Sequence, residues 1–150
     1  MDAMMKVVEK LNSLIKLDVD AVHAYDQAIE ACEILTIKDT LTEFRNDHER
    51  HIHDLSEQVR MLGGTPEVRR DLKGFVLEGF TALMSRGDRT ALMAMRGNEE
   101  LTNRMYQAAL EMEEMSAEAR TVIERNYADE QRHLSWIKNQ LNIQVWDKVA

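Results

Sequence analysis

Two short stretches carry the residue types that could do chemistry: Asp129-Glu130-Gln131-Arg132-His133 and its earlier echo, Asp47-His48-Glu49-Arg50-His51. Each sets a pair of potential metal ligands three residues apart, Glu130 with His133 and His48 with His51. Residues at i and i+3 of a helix lie one turn apart on one face, so both side chains can reach one point. Carboxylate and imidazole together suit a divalent transition metal. Whether they bind one depends on whether that face looks at water or into a core.

The elements that must position them follow from apolar residues recurring at three-to-four spacing, the signature of amphipathic helices. A first helix over about residues 3–33 carries Val7, Leu11, Leu14, Ile15, Val22, Tyr25, Ile29 and Cys32. Thr36 followed by Asp39 predicts the start of a second, which carries Leu41, Phe44, Leu55, Val59 and Leu62 and stops at Gly63-Gly64-Thr65-Pro66. A connecting stretch over about residues 67–86 holds a shorter amphipathic segment with Leu72, Phe75, Val76, Phe80 and Leu83. Ser85-Arg86-Gly87-Asp88 reads as a turn, with Asp88 the expected N-cap of a third helix that runs to about residue 113. Ser116 is the expected N-cap of a fourth, carrying Ala119, Ile123, Ile137 and Leu141. The tail over residues 142–150, with Trp146, is left unassigned. Two helical hairpins joined by one long crossover make an all-α, antiparallel four-helix bundle.

Extended through their gaps, the apolar stripes turn polar near the middle of each helix. The first reads Leu11, Ile15, Asp18, Val22, Tyr25, Ile29; the second Leu41, Phe44, His48, His51, Leu55. The third reads Leu92, Met95, Glu99, Thr102, Tyr106; the fourth Ile123, Asn126, Glu130, His133, Ile137. A buried carboxylate that is neither paired nor coordinated costs several kcal/mol. Three of them would rival the whole stability of a domain, roughly 5–15 kcal/mol. A divalent metal bound by Asp18, His48, His51, Glu99, Glu130 and His133 is the compact compensation. A metal-free network of carboxylates and imidazolium groups is the rival. The echo extends to the tyrosines, since Asp18 precedes Tyr25 by seven residues and Glu99 precedes Tyr106 by seven. Matching hairpins about a pseudo-twofold axis would set these groups face to face.

Composition excludes several function classes. A net charge of −8 disfavours nucleic acid, whose phosphates call for a clustered basic surface, and is compatible with binding cations. Cys32 stands alone, so no internal disulfide is expected and a reducing compartment is favoured. The first sixteen residues lack the apolar run of a secretory signal, and no stretch is apolar for long enough to span a membrane, so the cytoplasm is the expected location. At 150 residues the chain is read as one domain, residues 1–150. His48-Glu49-Arg50-His51-Ile52 lacks the four-residue histidine spacing of the zinc-protease motif, because Ile52 holds the place of the second histidine. His23 and His53 fall off the inward stripes, and the methionines read as core filler.

The run Asp129-Glu130-Gln131-Arg132-His133-Leu134-Ser135-Trp136-Ile137 is similar to the second Glu-x-x-His helix of the ferritin-like di-iron carboxylate superfamily, which includes bacterioferritin, rubrerythrin and related bacterial ferritin-like domains. Glu99 with Tyr106 resembles its third-helix carboxylate; Leu11-Asn12-Ser13-Leu14-Ile15 and Tyr25 resemble its first helix; Leu62-Gly63-Gly64-Thr65-Pro66 resembles its second-helix exit. The resemblance implies a ferritin-like bundle in which Glu99, Glu130 and His133 hold one iron and Asp18, His51 and His48 the other. Tyr25 and Tyr106 would lie beside that centre. It implies ferroxidase-like or O2- or peroxide-linked oxidation, with Zn or Mn as alternative metals. Two positions depart from the pattern: Asp18 stands where Glu is usual, with Asp20 as a competitor, and His48 stands where the family has a bridging Glu. Asp47 and Glu49 point off the stripe. Three carboxylates against two Fe(II) leave a positive surplus, so an altered dimetal centre, a single-metal site and a degenerate one all stay open. The rival function is a non-catalytic structural, stress or interaction module with at most one structural metal. A homodimer is the expected assembly.

Overall fold

The computed structural model describes residues 2–69 and 87–148. Four α-helices account for most of them: α1 Ala3–Ala31, α2 Leu35–Met61, α3 Asp88–Leu110 and α4 Ala117–Asn142, followed by a short 3-10 turn at Val145–Asp147. The amphipathic segment expected between Leu72 and Leu83 lies outside the described residues.

Short links make α1 and α2 one antiparallel hairpin and α3 and α4 another. Helix α1 packs mainly on α2 and α3, and α4 mainly on α3 and α2. The two hairpins use the same device at their turns. Lys38, in the first turn of α2, donates to the carbonyls of Ile29 and Cys32 at 2.7 and 2.9 Å, closing the end of α1. Arg120, in the first turn of α4, donates to the carbonyls of Leu110 and Met112 at 2.5 and 2.9 Å, closing the end of α3. A cation that satisfies orphan carbonyls at a helix C-terminus also meets the negative end of the helix dipole.

The expected start and stop signals are partly corrected. Ser116 does cap α4, accepting from the Ala119 amide at 3.2 Å. Thr36 does not open α2; the N-cap is Ile34, which offers no side-chain bond. Asp88 does not cap its own helix either, because Gly87 holds that place. Its carboxylate accepts from the amides of Glu33 and Ile34 at 3.0 and 3.2 Å, supplying from α3 the acceptor that α2's entrance lacks. This contact ties the start of α3 to the α1–α2 turn, while α2 ends some 40 Å away along its 27 residues. The end of α2 and the start of α3 therefore lie at opposite ends of the bundle. At the far end, Gly63 has φ +82, a region that suits glycine, and Gly64 sits where an added Cβ would meet Val8 Cγ1 at 2.8 Å. Asn12 then holds the departing chain, donating to the Thr65 carbonyl and accepting from the Glu67 amide.

Two apolar clusters fill the bundle. One, at the end where α1 starts, gathers Val7, Leu11, Leu14, Leu55, Val59, Ala109, Ala119 and Ile123. The other gathers Ala28, Ile37, Leu41, Phe44, Leu92, Met95 and Ile137. Between them lies a layer of fully buried polar residues: Asp18, His48, His51, Glu99, Thr102, Asn126, Glu130 and His133.

Candidate metal centre

Every residue expected to form the centre reaches this layer or borders it. Asp18 and Tyr25 come from α1, His48 and His51 from α2, Glu99 and Tyr106 from α3, Glu130 and His133 from α4, and each is 0 % exposed. Asp20 is exposed, so Asp18 is the α1 carboxylate of the layer. His53 and Glu49 lie on the surface, and His23 is half-buried outside the layer.

The potential donors fall into two overlapping groups, Asp18–His48–His51–Glu130 and His48–Glu99–Glu130–His133. In the first, Asp18 Oδ1 lies 2.6 Å from His48 Nδ1 and 3.2 Å from His51 Nδ1. Glu130 Oε1 lies 3.4 and 3.3 Å from the same two nitrogens. In the second, Glu99 Oε1 lies 3.1 Å from His48 Nε2 and 3.2 Å from His133 Nδ1, and Glu130 Oε2 lies 3.6 Å from His133 Nδ1. Ligands bound to one ion through bonds of about 2.0–2.2 Å stand roughly 3.0–3.5 Å from one another. Most of these spacings fall in or near that range; the 2.6 Å approach of His48 to Asp18 is that of a hydrogen bond.

A second observation tests the fit. Glu130 Oε1 is fully buried yet has no hydrogen-bond partner among the described residues. An unsatisfied buried carboxylate oxygen is costly, and a cation between Asp18, His48, His51 and Glu130 would satisfy it. The donor set fits a metal.

The tyrosines bind across the bundle. Tyr25 of α1 donates its hydroxyl to Glu99 of α3, and Tyr106 of α3 donates to Asp18 of α1 at 2.5 Å. Burial and the neighbouring carboxylates push both phenols well up, so they remain protonated donors at neutral pH. Thr102 Oγ1 sits 3.0 Å from both Glu99 Oε2 and Glu130 Oε2.

Sequence reasoning missed Asp47 and Asp129, set aside as off the stripe or unremarked. They are half-buried and close the layer from outside. His133 Nε2 lies 2.8 Å from Asp47 Oδ2, and His51 Nε2 lies 2.9 Å from Asp129 Oδ2. Arg132 donates to Asp47 at 2.6 Å, and Arg50 donates to Asp129. Each Asp four residues before a histidine thus serves the histidine of the other helix. The signal was present in the repeated Asp-x-x-Arg-His, but the crossing was not. A carboxylate on the outer nitrogen fixes the ring and aims Nδ1 inward, an arrangement common around metal-bound histidine.

The protonation pattern follows from these contacts. Burial opposes the charge on His51 and His133, but Asp18 and Asp129 hold His51 up at about 10, and Asp47 with the two glutamates holds His133 up at about 9. His48 is likewise pushed well up, because Glu130, Asp18 and Glu99 outweigh its burial. Burial raises Asp47, yet His133 and Arg132 bring it down to about 2. Burial also acts to raise both glutamates. Hydrogen bonds from Glu130, His133 and His48 overcome it at Glu99, whereas Glu130 stays raised, since Glu99's charge adds to its burial.

The family described as "Domain of unknown function (DUF2383)" matches residues 6–112. The chain belongs to that family. Its DUF2383 region takes in α1 to α3 and hence Asp18, Tyr25, His48, His51, Glu99 and Tyr106, while Glu130 and His133 lie beyond the matched residues. Among solved structures, bacterioferritin from Desulfovibrio desulfuricans, studied for its di-iron site in different catalytic states, is similar at 20% identity and TM-score 0.75, covering 94% of this chain and 81% of that one. The bacterioferritin-related protein from Bacteroides fragilis, a dodecameric thioferritin, is similar at 14% identity and TM-score 0.79, covering 99% of this chain and 90% of that one. At such identities the likeness establishes a ferritin-like fold. No curated protein matches the chain. No helix among the described residues is long and apolar enough to cross a membrane.

Proposed function

We propose that this DUF2383 protein, read as one bundle domain, is a ferritin-like metal protein whose polar layer binds two divalent ions, iron by preference. Its activity in this reading is ferroxidase-like, oxidising Fe(II) as substrate with O2 or peroxide. The observation that carries it is the pair of overlapping donor groups that share His48 and Glu130, one Glu130 oxygen having no hydrogen-bond partner among the described residues. Asp18 and His51 would hold one ion and Glu99 and His133 the other, with His48 and Glu130 between them. Bound iron supplies one-electron redox chemistry and open coordination positions for O2 or peroxide.

The chain's own residues do the rest. Asp47 and Asp129 hold the outer ring nitrogens, leaving Nδ1 of His133 and His51 aimed inward. The phenols of Tyr25 and Tyr106 donate to Glu99 and Asp18 and so orient those carboxylates. The apolar clusters at either end exclude water. Anaerobic titration of metal-stripped protein with Fe(II), followed by air and an oxygen electrode, tests this. Two ions bound per chain and O2 consumed with added Fe(II) are expected; neither binding nor consumption above a Glu130→Ala control would overturn it.

One observation favours a second reading. His48 lies within ion-pair distance of Asp18, Glu99 and Glu130 at once, and His51 and His133 lie within that distance of the same carboxylates, so with all three histidines protonated three cations face three carboxylates. The protein would then be a structural or interaction module with one Zn(II) or no metal. A melting temperature that falls with chelator, without O2 consumption, would favour static metal; no response to chelator would favour none.

A further inference from the structure

The histidines of the layer are not used alike. His51 and His133 each turn one ring nitrogen inward and give the other to a half-buried aspartate at the rim, Asp129 and Asp47. Among the described residues His48 has no such aspartate at the rim. Its Nδ1 belongs with Asp18 Oδ1 and Glu130 Oε1, at 2.6 and 3.4 Å, and its Nε2 with Glu99 Oε1, at 3.1 Å. Both nitrogens face donors; Asp18 and Glu99 belong to different groups, and Glu130 is common to both. The ring is fully buried and hemmed in, with the centroids of Tyr25, His51 and His133 at 5.3, 5.4 and 5.3 Å.

We infer that His48 bridges the two ions through its ring, Nδ1 ligating one and Nε2 the other. This inference rests on the two-ion reading above and gives that centre its spacing. A ring nitrogen that carries a proton has no lone pair for a metal, so binding on both sides displaces every N–H proton of the ring to solvent, two when it starts as imidazolium. The ring then contributes one negative charge. With Asp18, Glu99 and Glu130 it makes four anionic ligands for two divalent ions, removing the positive surplus that a neutral His48 leaves. Two adjacent cations supply the driving force, as metal ions do when they deprotonate other ligands outright.

The ring also sets a distance. Bonds of about 2.0–2.1 Å on nitrogens across a five-membered ring hold the ions roughly 6 Å apart. Single-oxygen or carboxylate bridges allow about 3.5–4 Å. Glu130, whose two oxygens face different groups, can rotate to follow either spacing; the rigid imidazole cannot. The inferred centre is a spaced pair coupled through a ring, unsuited to sharing one bridging oxygen.

The test uses Zn(II), which has no redox chemistry. Metal-stripped full-length protein is titrated with Zn(II), counted by elemental analysis, crystallised, and its ions located by anomalous scattering. Two ions per chain roughly 6 Å apart, one on each nitrogen of His48, are expected. Two ions at about 3.5–4 Å, or His48 bound to only one, would overturn the bridge and leave the two-ion reading standing. No bound zinc would overturn the bridge, and no bound Fe(II) in the earlier titration would overturn that reading itself. His48→Gln, which cannot ligate on two sides, is expected to bind one ion in place of two. His48→Glu, which supplies the carboxylate usual in similar proteins, is expected to bind two at the shorter spacing. Should His48→Gln misfold, His48→Glu still decides, because a spacing unchanged from wild type would overturn the bridge.

Discussion

The stretches 47–51 and 129–133 occupy equivalent places on α2 and α4, and their likeness and difference fall in separate shells. The outer shell is symmetric. Asp47 takes His133 and Arg132; Asp129 takes His51 and Arg50. The tyrosines repeat the pattern one layer in, Tyr25 on Glu99 and Tyr106 on Asp18. The inner shell is not symmetric. Where α4 offers Glu130, with an oxygen that has no hydrogen-bond partner among the described residues, α2 offers His48, with both nitrogens engaged. In the proposed centre the symmetric parts would orient ligands, whereas the odd position would set charge and spacing. A bundle can therefore keep its scaffold for a metal while changing what the metal can do.

The comparison is broken most severely at Glu130. Replacing it with Ala removes the one carboxylate among the described residues that belongs to both donor groups, and metal affinity should fall by more than ~100-fold, beyond the 10–100-fold typical of losing an outer partner of a metal-bound residue. Calorimetric titration with Zn(II) measures it; an affinity within threefold of wild type would refute a shared ligand. Next come the tyrosines. Tyr25→Phe and Tyr106→Phe each strip a donor from a buried carboxylate and should lower the stability of metal-free protein by about 1.5–3 kcal/mol, read by urea denaturation. Equal losses would extend the symmetry inward, and a marked inequality would confine it to the rim.

Asp47→Asn and Asp129→Asn test the rim itself. Each frees one histidine ring, so each should weaken metal binding by about 10–100-fold and by matching amounts. If only one matters, the crossed pairs are not equivalent. The smallest effect is a pH slope. His51 and His133 are raised in the folded protein, to about 10 and about 9, so their contribution is fully present below the unfolded value near 6.5 and is lost as pH rises through the folded ones. The melting temperature of metal-free protein should thus fall between about pH 7 and pH 10, while Zn(II)-loaded protein, whose histidines are already deprotonated at the metal, changes less. Proton release as the folded pair titrates, followed by NMR, should show His133 losing its proton before His51.

The stripes were readable because a helix is local. Two residues along its axis turn by about 200°, so Asp18 in line with Ile15, Val22 and Tyr25 is buried and Asp20 is not. The same arithmetic brought His48, His51, Glu99, Glu130 and His133 inward. It also misled, since Asp47 lies off the stripe of α2 and yet meets a histidine of α4. Its partner depends on how far two helices are rotated and shifted against each other, which neither helix encodes alone.

Composition, periodicity and the repeated Asp-x-x-Arg-His thus determined four helices, a polar layer within them and the side chains that fill it. Only the tertiary structure decided who meets whom: Asp88 with the entrance of α2, Tyr106 with Asp18, Asp129 with His51, and His48 with carboxylates on both sides. The face a residue presents follows from the few residues around it, whereas its partners across the core follow from packing all four helices together.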